Sequence, residues 1–340
     1  MRVRGKMNHW KHGLPFFCVV AASCWAAAQP SSAQRKLDPY VGQWALHRDQ
    51  GAGWLELRLE QGRLAGSLLW GGGSVMPVDE VVEEGERVVL VLNRRVQRKT
   101  GKTDIVSSRW EVRVKDGQLA GKVLPANPQA RGEEFVGKRL PPPSPAPDLS
   151  RLRYGEPVEL FNGRDLTGWT MTDPAQENGF QAVDGMLVND PVQPEGQPRV
   201  RYGNLMTTAK FEDFNLTLEV NVPAGSNSGV YLRGIYEVQI SDSFGKPLDS
   251  HNMGGLYSRI TPTVAAEKPA GQWQAFDITL CDRHLTVKLN GLTIIDNQPV
   301  QGVTGGALTA DEFSPGPIYL QGDHGKVTFR NLVLRPIIKG

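Results

Sequence analysis

The stretch Asn227-Ser-Gly-Val-Tyr-Leu-Arg-Gly-Ile-Tyr-Glu-Val-Gln-Ile-Ser-Asp242 holds two alternating runs parted by Gly234. Strand side chains point to opposite faces with period two. Tyr236, Val238 and Ile240 therefore share one face, and Glu237, Gln239 and Ser241 share the other. In the first run Gly229, Tyr231 and Arg233 fall on a common face by the same rule. A carboxylate, a carboxamide, a phenol and a guanidinium on neighbouring strands form either a groove for a hydroxyl-rich ligand or a polar sheet surface.

The alternation extends through the chain in both directions. Trp54 to Glu60 sets leucines against charges, Gln61-Gly62 turns the chain, and Arg63 to Trp70 returns it. Runs at 75–82, 87–92, 105–114 and 118–124 continue the pattern. The string Gly62-Arg-Leu-Ala-Gly66 recurs as Gly117-Gln-Leu-Ala-Gly121. About eight short strands in about 100 residues predict a small antiparallel β-barrel or sandwich over 38–140, one that resembles lipocalins. Pro141-Pro-Pro-Ser-Pro-Ala-Pro147 cannot donate ladder hydrogen bonds, so 141–153 reads as a semi-rigid linker. From 154 to 340 the chain is again all-β, with Asp184-Gly185 and Asn290-Gly291 as two-residue hairpin turns. The long irregular segment 243–271 reads as an ordered lid beside the central pair. Helical periodicity nowhere runs beyond two turns.

Residues 1–33 read as a secretory leader. Arg2, Arg4, Lys6 and Lys11 precede an apolar run from Leu14 to Ala28, too short to span a bilayer. This predicts an exported protein, in the periplasm or cell envelope. Ala21-Ala-Ser-Cys24 is a weak lipoprotein-type string that would anchor the chain through Cys24. Subtracting the leader's four charges from the formal +2 leaves −2, so a nucleic-acid partner is not expected. Two of the three cysteines, Cys18 and Cys24, fall in the leader. Cys281, in an apolar run, is expected to pack as a small hydrophobe rather than act as a nucleophile.

Several strings together resemble one family. Glu159-Leu-Phe-Asn-Gly-Arg-Asp-Leu-Thr-Gly-Trp169 is similar to the opening of the bacterial 3-keto-disaccharide hydrolase domain. Asn227 to Gly234, Tyr236-Glu-Val-Gln-Ile240, Lys268-Pro-Ala-Gly-Gln-Trp-Gln274 and Gly316-Pro-Ile-Tyr-Leu-Gln-Gly-Asp-His-Gly325 are similar to its centre and end. The resemblance covers about 155–337. It implies a concanavalin A-like jelly roll of the lectin/glucanase kind, with a concave face that binds a small sugar. Ser250-His-Asn-Met253 departs from the family's acidic string there.

Ordinary glycosidases set two carboxylates about the scissile bond. On the predicted face Glu237 is followed by Gln239 and Ser241, so the second carboxylate is missing. The substrate that the resemblance implies needs only one. A 3-keto sugar has an acidic C2–H, which a base can remove to expel the C1 substituent, and water can then add to the enone. Glu237 and His324 are the acid/base candidates, and Arg233 the candidate for the developing oxyanion. Asn227, Tyr231, Gln239, Tyr257, Lys268, Gln321 and Asp323 are the substrate-binding candidates. A divalent metal held by Glu237, Asp323 and His324 is an alternative electrophile. The plainer readings are a Glu237–Arg233 cross-strand ion pair, turn roles for Asp323 and His324, and a lectin-like module that binds sugar without turnover.

Overall fold

The structure, a computed structural model, describes residues 37–97, 101–124, 127, 129 and 131–338. The expected leader, with Cys24, lies outside the described residues. Those residues are all-β apart from one short 3₁₀ turn at Leu149–Arg151 and a single helical residue at Leu37.

Nine strands make the first sheet: β1 (Gly42–His47), β2 (Ala52–Glu60), β3 (Arg63–Trp70), β4 (Met76–Pro77), β5 (Glu80–Glu84), β6 (Arg87–Gln97), β7 (Thr103–Lys115), β8 (Gln118–Leu124) and β9 (Glu134–Arg139). Their order is β4-β3-β2-β1-β9-β8-β7-β6-β5, all antiparallel. The single strand expected over 75–82 is two. Val78 N–H donates to Gly66 O of β3, and Asp79 N–H donates to Val91 O of β6. The chain changes partner there, so the two ends of the sheet meet and the barrel closes. Closure removes the edges that an open sheet would expose. Trp44, Leu46, Leu55, Leu57, Leu90, Val112 and Leu119 fill the interior. The repeated glycine theme makes equivalent hairpins, with Gln61-Gly62 and Asp116-Gly117 all at positive φ, as a two-residue turn of the right twist requires.

The remainder is a jelly roll of two packed sheets. The strands are β10 (Arg153–Tyr154), β11 (Val158–Glu159), β12 (Trp169–Met171), β13 (Phe180–Val183), β14 (Met186–Asn189), β15 (Leu205–Thr207), β16 (Phe214–Asn221), β17 (Asn227–Leu232), β18 (Tyr236–Ser241), β19 (Trp273–Cys281), β20 (His284–Leu289), β21 (Leu292–Pro299), β22 (Tyr319–Leu320) and β23 (Val327–Ile338). One sheet runs β13-β14-β23-β16-β19-β20-β21 with β10 and β11 on β23, and the other runs β12-β15-β22-β17-β18. Strand β16 buries every second residue, Leu216, Leu218 and Val220 among them. These meet Val230, Leu232, Val238 and Ile240 of the other sheet in one core, which also takes in Cys281's neighbours Leu280 and Ile278. Cys281 is buried, with its thiol 3.8 Å from Asp282 Oδ2. The proline run lies along the jelly roll, with Asn297 donating to Pro147 O at 3.0 Å.

Strands β17 and β18 pair as a hairpin with Tyr231 opposite Glu237 and Gly229 opposite Gln239. Nearly every residue in both is buried, on both faces. One face is core. The other lines a cavity with Tyr319, Asp323, His324 and Gly305, while Gly254, Gly255 and Tyr257 of the 243–271 segment bond the free edge of β18 through Gln239 O, Gln239 N–H and Glu237 O. The oddly polar pair thus lines a cavity and is not an exposed sheet face.

Candidate active site

Glu237 lines a cavity of about 290 Å³ together with Asn204, Asn227, Tyr231, Gln239, Tyr257, Tyr319, Gln321, Asp323 and His324. Its carboxyl lies over Gly229 of the neighbouring strand. A Cβ there would come within 2.3 Å of Glu237 Oε1, so the glycine makes the carboxyl's resting place. Burial pushes the Glu237 pKa up to about 8. The Tyr231 hydrogen bond and the His324 charge oppose that rise, and Asp323 adds to it.

Tyr231 Oη lies 2.8 Å from Glu237 Oε2 and 2.7 Å from Gly305 O. The phenol has one proton and two acceptors to serve. When Glu237 is protonated its own O–H can donate to Tyr231 while Tyr231 donates to Gly305 O, and every group is satisfied. When Glu237 is ionised the two oxygens compete for one proton. Burial favours a neutral Glu237 in the free protein, and the Tyr231 hydrogen bond offsets part of that preference. Tyr319, on β22 opposite Tyr231, stacks on it with ring centroids 3.9 Å apart at 9°.

His324 Nδ1 lies 2.6 Å from Asp323 Oδ1, and that hydrogen bond raises the histidine's pKa against partial burial, with the Glu237 charge adding to the rise. The same hydrogen bond and charge hold Asp323 below its ordinary value despite burial. Glu237 and His324 thus each favour the other's charged form across the cavity.

Gln239 is 2% exposed, and among the described residues its Oε1 has no hydrogen-bond partner. Gln321 Oε1 is likewise buried and unpaired. A buried carbonyl oxygen without a donor is costly. Two of them lining one cavity call for a ligand that brings hydroxyl donors.

Two candidates fall elsewhere. Arg233 leaves the groove face because β17 ends at Leu232, and Arg233-Gly234 turn the chain at φ 55° and 70°. Its guanidinium is buried against backbone, donating to Glu312 O at 2.8 Å and to Ser314 O at 2.6 Å. It is neither an oxyanion holder nor a partner of Glu237. Lys268 spends its ammonium on Trp273 O at 3.1 Å. Nor do Glu237, Asp323 and His324 form a ready cage. Among the described residues the trio with ligand atoms within 4.8 Å of one another is Asp213, Cys281 and Asp282. The remaining candidates share one cavity.

Sequence reasoning missed Tyr319 and Asn204, whose Oδ1 accepts from Gly322 N–H at 2.9 Å. Tyr319 lies two residues before Gln321, so period-two counting from Gln321 would have found it. It also missed buried Glu312, which accepts from Tyr236 Oη at 2.7 Å and lines a separate cavity with Arg233.

A family model described as the 3-keto-alpha-glucoside-1,2-lyase-like domain matches residues 156–335. The chain belongs to that family. Membership in the 3-keto-alpha-glucoside-1,2-lyase-like family makes it a carbohydrate-active protein, and the match takes in every jelly-roll residue of the cavity. Among solved structures, one from Parabacteroides distasonis, provisionally described as a glycosyl hydrolase, is 26% identical over 57% of this chain and 93% of its own, at a TM-score of 0.44. A non-specific endo-β-1,3(4)-glucanase is 13% identical over 58% of this chain and 95% of its own, at 0.36. A carbohydrate-binding module from Bacillus subtilis is 11% identical over 48% and 93%, at 0.31. No curated protein matches the chain.

Proposed function

We propose that this protein is an exported enzyme that cleaves small 3-keto-glycosides by β-elimination, with hydration of the enone giving net hydrolysis. The observation that carries the reading is a single buried carboxyl, with its pKa at about 8, sharing a cavity with a His324–Asp323 pair. A desolvated carboxylate of that basicity suits removal of a carbon-bound proton near neutral pH.

In the proposed reaction Glu237 takes the proton from C2, and the C2–H electrons delocalise onto the C3 oxygen. The enolate then collapses, the C1–O bond breaks with its electrons on the leaving oxygen, and His324 supplies that oxygen's proton. Asp323 keeps the imidazolium charged until then. Tyr231 and the unpaired oxygens of Gln239 and Gln321 hold the sugar hydroxyls, and Tyr319 backs Tyr231. Water addition at C1, with a proton returned to C2, completes hydrolysis. Arg233 has no part, so the enolate oxygen must be met by groups already in the cavity.

The test is to incubate the purified protein with a 3-keto disaccharide, whose sugar leaving group needs a proton, and follow release of the free sugar. Glu237→Gln and His324→Ala are each expected to lower kcat by 10²-fold or more. Full activity in either variant sinks the role given to that residue. Saturable binding without any release by the wild type would favour the lectin-like alternative.

A further inference from the structure

The family match stops short of the barrel, yet the barrel reaches the cavity. Gly72 and Gly73, in the connection that follows β3, line it together with Glu237 and His324. The contact is built from both sides. Gly306 N–H donates to Gly71 O at 3.1 Å, and Val75 N–H donates to Ser258 Oγ at 2.9 Å. Ser74 Oγ lies 2.8 Å from His251 Nε2, and His251 Nδ1 lies 2.5 Å from Asp249 Oδ1. Gly73 packs so closely on Gly305 that a Cβ on Gly305 would lie 2.0 Å from Gly73 O. Behind the loop the two units share one core, in which Trp54 and Leu69 of the barrel join the jelly-roll residues, and the Arg259 guanidinium lies 4.0 Å over the Trp54 ring.

The loop also bears on the chemistry. Gly306 is held by Gly71, the adjacent Gly305 O accepts from Tyr231, and Tyr231 is bonded to Glu237. His251, which bonds Ser74, packs perpendicular to the Tyr257 ring with centroids 4.6 Å apart.

We propose that the barrel's glycine loop, Gly71 to Ser74, is a wall of the substrate site and a determinant of which keto-glycoside fits. The inference rests on the 3-keto-glycoside reading of the cavity. At about 290 Å³ the space is at the small end for ligand sites, so the loss of one wall or the growth of a side chain from it changes what enters. Gly72 is the informative position. Its φ is not positive, and a Cβ there meets nothing within 4 Å, so a larger residue is accommodated by the fold and projects into open space beside the cavity. Ser74 is a positioning residue, acting through His251.

The experiment compares wild type, Gly72→Phe and Ser74→Ala as full chains on a 3-keto disaccharide, with melting temperature as a control. The expected result is an unchanged melting temperature, a KM at least 10-fold higher in Gly72→Phe, and a smaller rise in KM with kcat nearly kept in Ser74→Ala. Wild-type turnover with an unaltered KM in Gly72→Phe overturns the loop's role and leaves the proposed function standing. If the wild type shows no turnover, the elimination reading fails, and calorimetric binding of the same disaccharide decides the loop. Weaker binding in Gly72→Phe supports it, whereas equal binding, or none by the wild type, overturns it.

Discussion

Replacing Glu237 with glutamine should abolish activity and stabilise the fold, and the stabilisation should depend on pH. Burial raises this carboxyl from 4.5 to about 8. The folded chain therefore holds the proton more tightly than the unfolded chain. Below pH 4.5 both states are protonated and Glu237 carries no penalty. As pH rises the unfolded state ionises first, and stability falls until the folded carboxyl ionises too, near pH 8. Each pH unit in that window amounts to about 1.36 kcal/mol, so the wild type loses about 3 kcal/mol by pH 7 and about 5 kcal/mol above pH 8. Glutamine has no proton to lose and still offers Tyr231 an acceptor. The variant should thus match the wild type at pH 4 and exceed it by those amounts at pH 7 and 9. Urea unfolding followed by tryptophan fluorescence at the three pH values reads the difference. A variant whose advantage is absent at pH 9, or is the same at every pH, would refute the claim that this carboxyl is desolvated in the free protein.

Asp323→Asn keeps an acceptor for His324 Nδ1 but removes the carboxylate charge that helps raise His324. The His324 pKa should fall, so the limb of kcat/KM against pH that reports it should move toward acid, and a profile that stays in place would count against the coupling. Gln239→Leu deletes an acceptor that is unpaired in the free protein. It should leave stability level or slightly higher while KM for a 3-keto-glycoside rises about 10- to 100-fold, the range for one lost buried hydrogen bond to substrate. Arg233→Met should do the reverse. Losing the bonds to Glu312 O and Ser314 O should destabilise by about 2–4 kcal/mol in urea unfolding, with kcat/KM per folded molecule kept. Gly229→Ala should displace the Glu237 carboxyl and cut kcat by on the order of 10²-fold, the usual result of a misplacement near 1 Å.

The contrast between Arg233 and Glu237 shows how far the sequence could be read. Period-two counting put Glu237 and Gln239 on one face because β18 is a regular strand through both, and the pairing with Tyr231 and Gly229 bears this out. The same counting put Arg233 beside them on the assumption that β17 continued. The Arg-Gly dipeptide was itself a turn signal, since both residues take positive φ, and a turn cancels parity. Jelly-roll architecture was legible because each strand repeats its own evidence. The barrel's closure was less so, since the switch of partners between Val78 and Asp79 leaves no mark on the alternation.

What the sequence hid most completely is the site's shape. Gly229 makes room for a carboxylate, Gly305 makes room for Gly73, and Gly72 leaves space where a side chain would stand. A search for chemistry looks for groups that donate, accept or ionise, and it passes over residues whose contribution is an absent Cβ. The loop that supplies two of these glycines meets its partner across 177 residues of chain, as Ser74 meets His251. No local pattern encodes such a contact. Its only trace is a run of three glycines, Gly71 to Gly73, after a strand, which reads alone as a slack turn. In the fold the same freedom from side chains lets backbone from one unit approach the cavity groups of the other. A pattern read strand by strand therefore finds the carboxylate, the imidazole and the carboxamides, but not the glycine loop that lines the cavity beside them.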